Sequence, residues 1–165
     1  MENQRNEVIE KRIRKELRLK ELIKKHDKLL ILDDNSYDSR NLRYLIKKII
    51  GKMPVDIKVK KGKYIPSTKI RFKGKVIVPW NLDDEISLFL RYFFENKKIK
   101  YIGHYDNIIK PLIVITDDES KQLARYYKFK FKEKKKDSIK EFLDKMEKRY
   151  PGTKFGIKKS IEQIL

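Results

Sequence analysis

The sequence predicts an α/β protein: one domain on a mainly parallel, doubly wound sheet, with a basic helix ahead of it and helices closing the chain. Three observations predict this. Leu29 to Leu32 is a short continuous apolar run, the pattern of a strand buried on both faces. It stops at Asp33, Asp34, Asn35 and Ser36, after which Leu42, Leu45, Ile46, Ile49 and Ile50 recur at helical spacing. The same strand-turn-helix pattern returns downstream, where Pro111 to Ile115 stops at Thr116, Asp117 and Asp118 and leads into Leu123, Ala124 and Tyr127.

The elements follow in order. Residues 5 to 25 place Ile9, Ile13, Leu17, Leu22 and Ile23 on one side, and Lys11, Arg12, Arg14, Lys15, Arg18 and Lys20 mainly around the other. This is an amphipathic basic helix packed on the domain. In the first strand-turn-helix, Asp38 or Ser39 caps the helix and Gly51 ends it. Val55 to Val59 alternates apolar and polar residues, a second strand. Lys58 to Lys75 is basic without a single acid, a loop with a short strand near Ile70 to Phe72. Lys75 to Val78 is the next strand. Leu82 to Lys98 forms a helix with Ile86, Phe89, Leu90, Phe93 and Phe94 as its apolar stripe, and its first turn carries Asp83, Asp84 and Glu85, which suit the helix dipole. Residues 99 to 110 are loop-like with room for a short strand. Lys128 to Lys132 alternates Lys with Phe129 and Phe131, a strand pattern, and Lys132 to Lys136 is a basic run. Asp137 to Tyr150 and Ile157 to Leu165 are the last helices.

A chain of 165 residues fits one domain with a real core. No apolar run of about 18 residues is present, so no membrane span is predicted. The N-terminus is charged from residue 2 and lacks an apolar h-region, so no secretory signal is predicted. The chain has no cysteine and only His26 and His104, which leaves no thiolate ligands for an iron–sulfur cluster or zinc and no cysteine nucleophile. The expected compartment is the cytoplasm. A net charge of +19 points to a polyanionic partner, either nucleic acid such as RNA or an anionic membrane surface. Lys and Glu abundance also matches a thermophile-like composition. A homodimer, or pairing with an active paralogue, are the assemblies left open.

LILDDN before an amphipathic helix resembles the start of a response-regulator receiver domain, whose paired acids hold Mg²⁺ beside a phosphoacceptor aspartate. A receiver needs an aspartate at the end of its middle strand, whereas here Lys75 to Val78 leads into Pro79, Trp80 and Asn81. A second resemblance covers well over half of the chain. KHDKLLILDDNSYDS resembles the entry to the PP-loop of N-type ATP pyrophosphatases, whose motif is SGGxDS. WNLDDEISLFLRYFF resembles that family's HNLDDE segment, and IIKPLIVITDDESKQLARYYKFKF its IKPL segment. EFLDKMEKRYPGTKFGIKKSIEQI resembles the PGTKF segment of the tRNA 2-thiolation enzymes, the 2-thiouridine and 2-thiocytidine synthetases.

The resemblance implies a Rossmann-like, adenine nucleotide alpha hydrolase-like fold, a helix over 1–27 and a PP-loop-like domain over 28–165. It implies ATP with Mg²⁺ as cofactor. Asp34, Asn35, Ser36, Tyr37, Asp38 and Ser39 would face the phosphates, with Asp84 near the same ligand and Asp38 and Asp84 on Mg²⁺. RNA phosphates would meet Arg12, Arg14, Lys58, Lys60, Lys61, Lys63, Arg71, Lys134, Lys135 and Lys136, with Tyr64 or Tyr127 stacking on bases. The chain departs from the family in three ways. Asp34, Asn35 and Ser36 stand where the motif has S-G-G, and glycines are what let a backbone approach a pyrophosphate closely. The interval from Ser39 to Asn81 is short, and the cysteines of the sulfur chemistry are missing. The expected function is therefore a degenerate, shortened PP-loop protein that binds tRNA or RNA without transferring sulfur itself. The alternatives are an active ATP-dependent tRNA-adenylating enzyme, a non-catalytic subunit of a tRNA-modification complex, and a receiver-like phosphoacceptor.

Overall fold

The computed structural model describes residues Met1–Leu165. Four parallel strands form one sheet in the order β2-β1-β3-β4, with β1 over Lys28–Asp33, β2 over Asp56–Lys61, β3 over Lys75–Ile77 and β4 over Ile108–Ile109. Six helices flank it: α1 Glu2–Leu19, α2 Tyr37–Ile50, α3 Leu82–Phe94, α4 Asp117–Tyr126, α5 Ser138–Arg149 and α6 Thr153–Ile164. The fold is α/β and Rossmann-like, as the alternation of strand and helix patterns predicts. No helix is long and apolar enough to cross a membrane.

β1 is the central strand, and its continuous apolar run exists because both of its faces are covered. Leu29 and Ile31 pack with Ile9, Ile13 and Leu17 of α1, with Leu42, Leu45 and Ile46 of α2, and with Leu123 of α4. Leu30 and Leu32 face the other way, onto Val76, Val78, Ile108 and Tyr64, with Ile70, Phe72, Trp80 and Tyr105 around them. A third, smaller core joins Leu82, Ile86 and Phe89 of α3 to Leu143 of α5 and Ile161 of α6. β2 is an edge strand whose side chains are mostly exposed, which suits its DIKVKK sequence.

The structure corrects several local readings. Pro111–Val114 is a 3-10 turn, not a strand: proline has no N–H for a ladder, and Ile115 N–H bonds back to Leu112 O at 3.0 Å. Buried apolar runs look alike in a turn and a strand, and Leu112, Ile113 and Ile115 are all buried. Ile70 to Phe72 is irregular, because those side chains cap a sheet face instead of joining its edge. Lys128 to Lys132 makes only a single bridge, Lys132 beside Ser36, with Lys132 N–H donating to Asn35 O at 2.8 Å. The N-cap of α2 is Ser36, while Gly51 ends the helix as expected, at φ 57°. α1 stops at Leu19, α3 stops at Phe94, and α6 begins at Thr153.

Because Ile13 is fully buried in the main core and Val8 of the same helix is exposed, the two report on whether α1 is part of the cooperative fold. Ile13→Ala is expected to lower urea stability by about 2–5 kcal/mol, and Val8→Ala to change it by under about 0.5 kcal/mol.

Candidate functional site

The chain leaves β1 through α2 to reach β2 on one side, then returns to place β3 on the other side of β1. In open parallel sheets the crevice at such a reversal, outside the carboxyl ends of the strands, is where ligands bind. A cavity of about 730 Å³ opens there. Its walls are the β1–α2 turn (Asp33 to Ser36), residues 61 to 66 after β2, Trp80 after β3, one side of α3 including Asp84, Ser87 and Arg91, and residues 132 to 135 with Asp137 and Lys140.

The β1–α2 turn is closed on itself. Asp33 Oδ1 accepts from Asn35 N–H at 2.9 Å, Asp34 Oδ1 accepts from Ser36 N–H at 3.0 Å, and Ser36 Oγ accepts from Ser39 N–H at 3.3 Å. Ser39 Oγ lies 2.9 Å from both Asp33 Oδ1 and Ser36 O. Asn35 adopts φ 63°, a left-handed conformation that asparagine enters more readily than most residues. Arg43 meets Asp33 Oδ2 at 2.8 Å and Arg40 stands 3.6 Å from it. Burial pushes the Asp33 carboxyl up, but the Asn35 amide, Ser39 and the two arginines outweigh it and hold it below the usual range.

Beneath the turn lies a buried ionic lattice. Asp38 is fully buried. Its Oδ1 accepts from Ser120 Oγ, and its Oδ2 from Asn81 Nδ2 at 3.0 Å and Lys134 Nζ at 2.6 Å. Lys134 Nζ also meets Asp84 Oδ2 at 2.9 Å, and Lys140 Nζ holds Asp84 Oδ1. Asn81 and Asp84 form a capping box at the start of α3, and Asn81 Nδ2 also reaches Asp117 Oδ1 at 2.9 Å. Tyr37 Oη donates to the same Asp117 oxygen at 2.6 Å. Asp83 accepts from Asp117 N–H at 2.8 Å and pairs with Lys154, which reaches Asp144 at 2.6 Å. Burial raises the Asp38 carboxyl despite Lys134, with the charge of Asp84 adding to it. Burial pushes Asp84 the same way, but Lys134 and Lys140 together bring it down to about 2. Burial would lower Lys134, yet Asp38 and Asp84 raise it above the ordinary lysine range.

The predicted residues thus fall into distinct environments. Asp34, Asn35, Ser36 and Asp84 line the cavity, whereas Tyr37, Asp38 and Ser39 point into the protein and are buried. Lys61, Lys63 and Lys135 line the cavity with no ion pair, Lys58, Lys60 and Arg71 are exposed on β2 and the loop beyond it, and Arg14 is exposed on α1. Lys134 lines the cavity but is held by the two aspartates. Lys136 is paired with Asp144 at 2.6 Å, and Arg12 with Glu119 and the Val114 carbonyl. Tyr64 is buried edge-on against Trp80 at 5.1 Å, and Tyr127 packs on Tyr44 at 4.4 Å. Both rings are packed against other aromatic rings, Tyr64 within the cavity wall and Tyr127 half-buried.

Sequence reasoning missed Lys140, Arg91, Ser87 and Trp80 as cavity residues, and Lys154 as the partner of Asp83. Lys132 on the same wall belongs to the basic run that the sequence reads as a solvated loop or a phosphate contact, whereas Lys140 carries no such signal. Lys110, fully buried, is another: its Nζ meets Glu85 at 2.9 Å and the Tyr101 carbonyl, and it sits 5.2 Å from the Tyr105 ring. Burial lowers it, with Glu85 opposing.

These donors do not fit a divalent cation. Mg²⁺ needs open oxygen ligands, whereas the oxygens of Asp38 and Asp84 are already engaged by ammonium, amide and hydroxyl donors. No cluster of three or more His, Cys, Asp or Glu side chains is arranged to hold a metal ion.

Fold and cavity together define a parallel α/β scaffold with its working edge at the carboxyl ends of the strands. Among solved structures, it is similar to a U34-tRNA thiolase, NcsA, from Methanococcus maripaludis, solved with its [4Fe-4S] cluster, with a TM-score of 0.75 at 16% identity. The match covers 98% of this chain and 80% of that one, and at this identity it establishes the shared fold. No family model matches the sequence, and no curated protein matches it.

Breaking the lattice should be costly. Lys134→Gln leaves two buried carboxylates one cation short and is expected to cost about 3–5 kcal/mol at neutral pH. Asp84 is held at about 2, below its unfolded value, so its stabilisation is present above the unfolded pKa and lost as pH falls through about 2. The deficit of Lys134→Gln, measured by urea titration, should therefore narrow as pH drops from about 4 toward 2.

Proposed function

We propose that this chain is a tRNA- or RNA-binding protein on a PP-loop-type fold, related in architecture to tRNA thiolation enzymes and without sulfur transfer of its own. The observation that carries the reading is the unpaired basic surface at the working edge. Lys61, Lys63, Lys132 and Lys135 rim the cavity without ion pairs, and Lys58, Lys60 and Arg71 extend the same charge along β2 and the following loop. Each such cation that replaces a condensed counter-ion on a phosphate contributes salt-dependent affinity. The likeness to a U34-tRNA thiolase supports tRNA as the polyanion. The lack of cysteine in this chain supports a binding role over sulfur chemistry, which relies on thiolates.

The test is filter binding of tRNA to the purified chain across a salt series. Binding should weaken steeply with salt. The variant Lys61→Gln/Lys63→Gln/Lys135→Gln should bind more weakly, and its log–log salt slope should fall by about one per lysine removed. Absence of affinity at low salt, or a slope unchanged in the variant, overturns the reading.

A further inference from the structure

We propose that Lys134 and Lys140 are built-in counter-ions standing where a divalent cation would bridge Asp38 and Asp84, and that the cavity above them takes a nucleotide phosphate without metal. The proposal rests on the RNA-binding reading only for the source of that nucleotide.

The charge balance of the cavity is the first argument. Two carboxylates, Asp38 and Asp84, face two ammoniums, Lys134 bridging both and Lys140 on the second. A metal ion entering there would have to expel ammoniums that are themselves largely buried, and would leave them without partners. Besides Asp84, the acids that line the wall are mostly neutralised too: Asp33 by Arg40 and Arg43, Glu133 by Lys121 at 2.7 Å, and Asp137 by Arg91 at 2.6 Å. Asp34 alone lacks a cation, and it spends one oxygen on the Ser36 amide. Lys61, Lys63, Lys132 and Lys135 remain as free positive charge, so the cavity attracts an anion with no metal to mediate it.

The second argument is an unused polar group. Ser87 of α3 lines the cavity and is 4% exposed as a residue, and its buried Oγ has no hydrogen-bond partner. A buried hydroxyl without a partner is costly unless a ligand or water supplies one. The third is shape. A volume of about 730 Å³ is ample for one nucleotide, and Trp80 offers a fixed aromatic wall, its Nε1 held by Glu85 at 2.6 Å. The chemistry that fits is a nucleoside phosphate, either a free monophosphate or one nucleotide of a bound RNA.

Trp80 is the only tryptophan and lines the cavity, so its fluorescence reports on occupancy. The full chain is titrated with UMP, once with EDTA and once with millimolar magnesium. A saturable change with the same midpoint in both is expected, and Lys63→Gln/Lys135→Gln should raise that midpoint by about tenfold or more. Manganese should not raise the wild-type melting temperature. In Lys134→Gln/Lys140→Gln it should, because the carboxylates are then free to hold it. If that variant does not fold, the wild-type titration and melting still decide.

A response that requires magnesium, or stabilisation of the wild type by manganese, overturns the proposal. Retention of tRNA on filters with no Trp80 response to UMP overturns the cavity site and leaves the RNA reading standing. A metal-independent UMP response with no tRNA retention at low salt does the reverse, and identifies a free mononucleotide as the ligand.

Discussion

The buried lattice around Asp38, Lys134, Asp84 and Lys140 is the constraint on which the rest of the molecule depends. The sheet is narrow, and β3 and β4 contribute only three and two residues. Its main core grips α1, α2 and α4, whereas α3, α5 and α6 share a separate, smaller core. The lattice joins these bodies: Lys134 ties α2 to α3, Lys140 ties α5 to α3, and Lys154 ties α6 to both α3 and α5. Asn81 completes the join by bridging Asp38 of α2 to Asp117 of α4. Burying charges in this way is expensive, and apolar side chains of equal volume often serve stability as well. Ion pairs with directed hydrogen bonds do differ from apolar contacts in one respect: each aspartate accepts only from donors at defined positions, so the helices dock in one register.

The same lattice shapes the outer surface. Asp33, Asp38, Asp83, Asp84, Glu85 and Asp117 are all buried, whereas Lys110, Lys140 and Lys154 are the only buried bases. Acids are drawn inward and bases left outside, so the positive charge that makes up the net +19 is concentrated at the exposed surface. Part of this asymmetry follows from side-chain length. A lysine stem reaches several ångströms from its backbone and can cover apolar surface while its ammonium stays wet, an option an aspartate lacks.

Much of the fold was legible because its signals are local. The apolar run of β1, the helical spacing of α2 with Gly51 behind it, and the alternation of strands with helices depend on residues within a turn or two of one another. Thr116 with Glu119 likewise forms a capping box at α4, next to the expected stop at Asp117 and Asp118. Short apolar runs that serve another purpose carry the same local pattern as a strand, as at Pro111 to Ile115 and Ile70 to Phe72. The site was less legible for a different reason. Asp38 and Lys134 are 96 residues apart, and Asp83 and Lys154 are 71 apart, so no periodicity couples them. Acids in the first turn of α3 are adequately explained by the helix dipole, and that local explanation hid their lysine partners.

The β1–α2 turn shows how a phosphate-ready geometry can be satisfied from within. A strand-to-helix turn at a sheet edge presents backbone N–H groups that an anion would fill. Here the oxygens come from the turn itself: Asp33 serves Asn35, Asp34 serves Ser36, and Ser36 serves Ser39. The acids that look repulsive toward a phosphate are thus occupants of the positions its oxygens would take, and Arg40 and Arg43 balance the charge on Asp33. A turn closed this way does not need glycine, because its own side chains fill the positions an anion would take; within it Asn35 alone takes the left-handed angle. The attraction for anions lies instead with the unpaired lysines after β2 and at 132–135, which flank the turn on either side. The strand-turn-helix holds the centre of the fold, and the charge that a ligand would meet lies on the segments paired beside it.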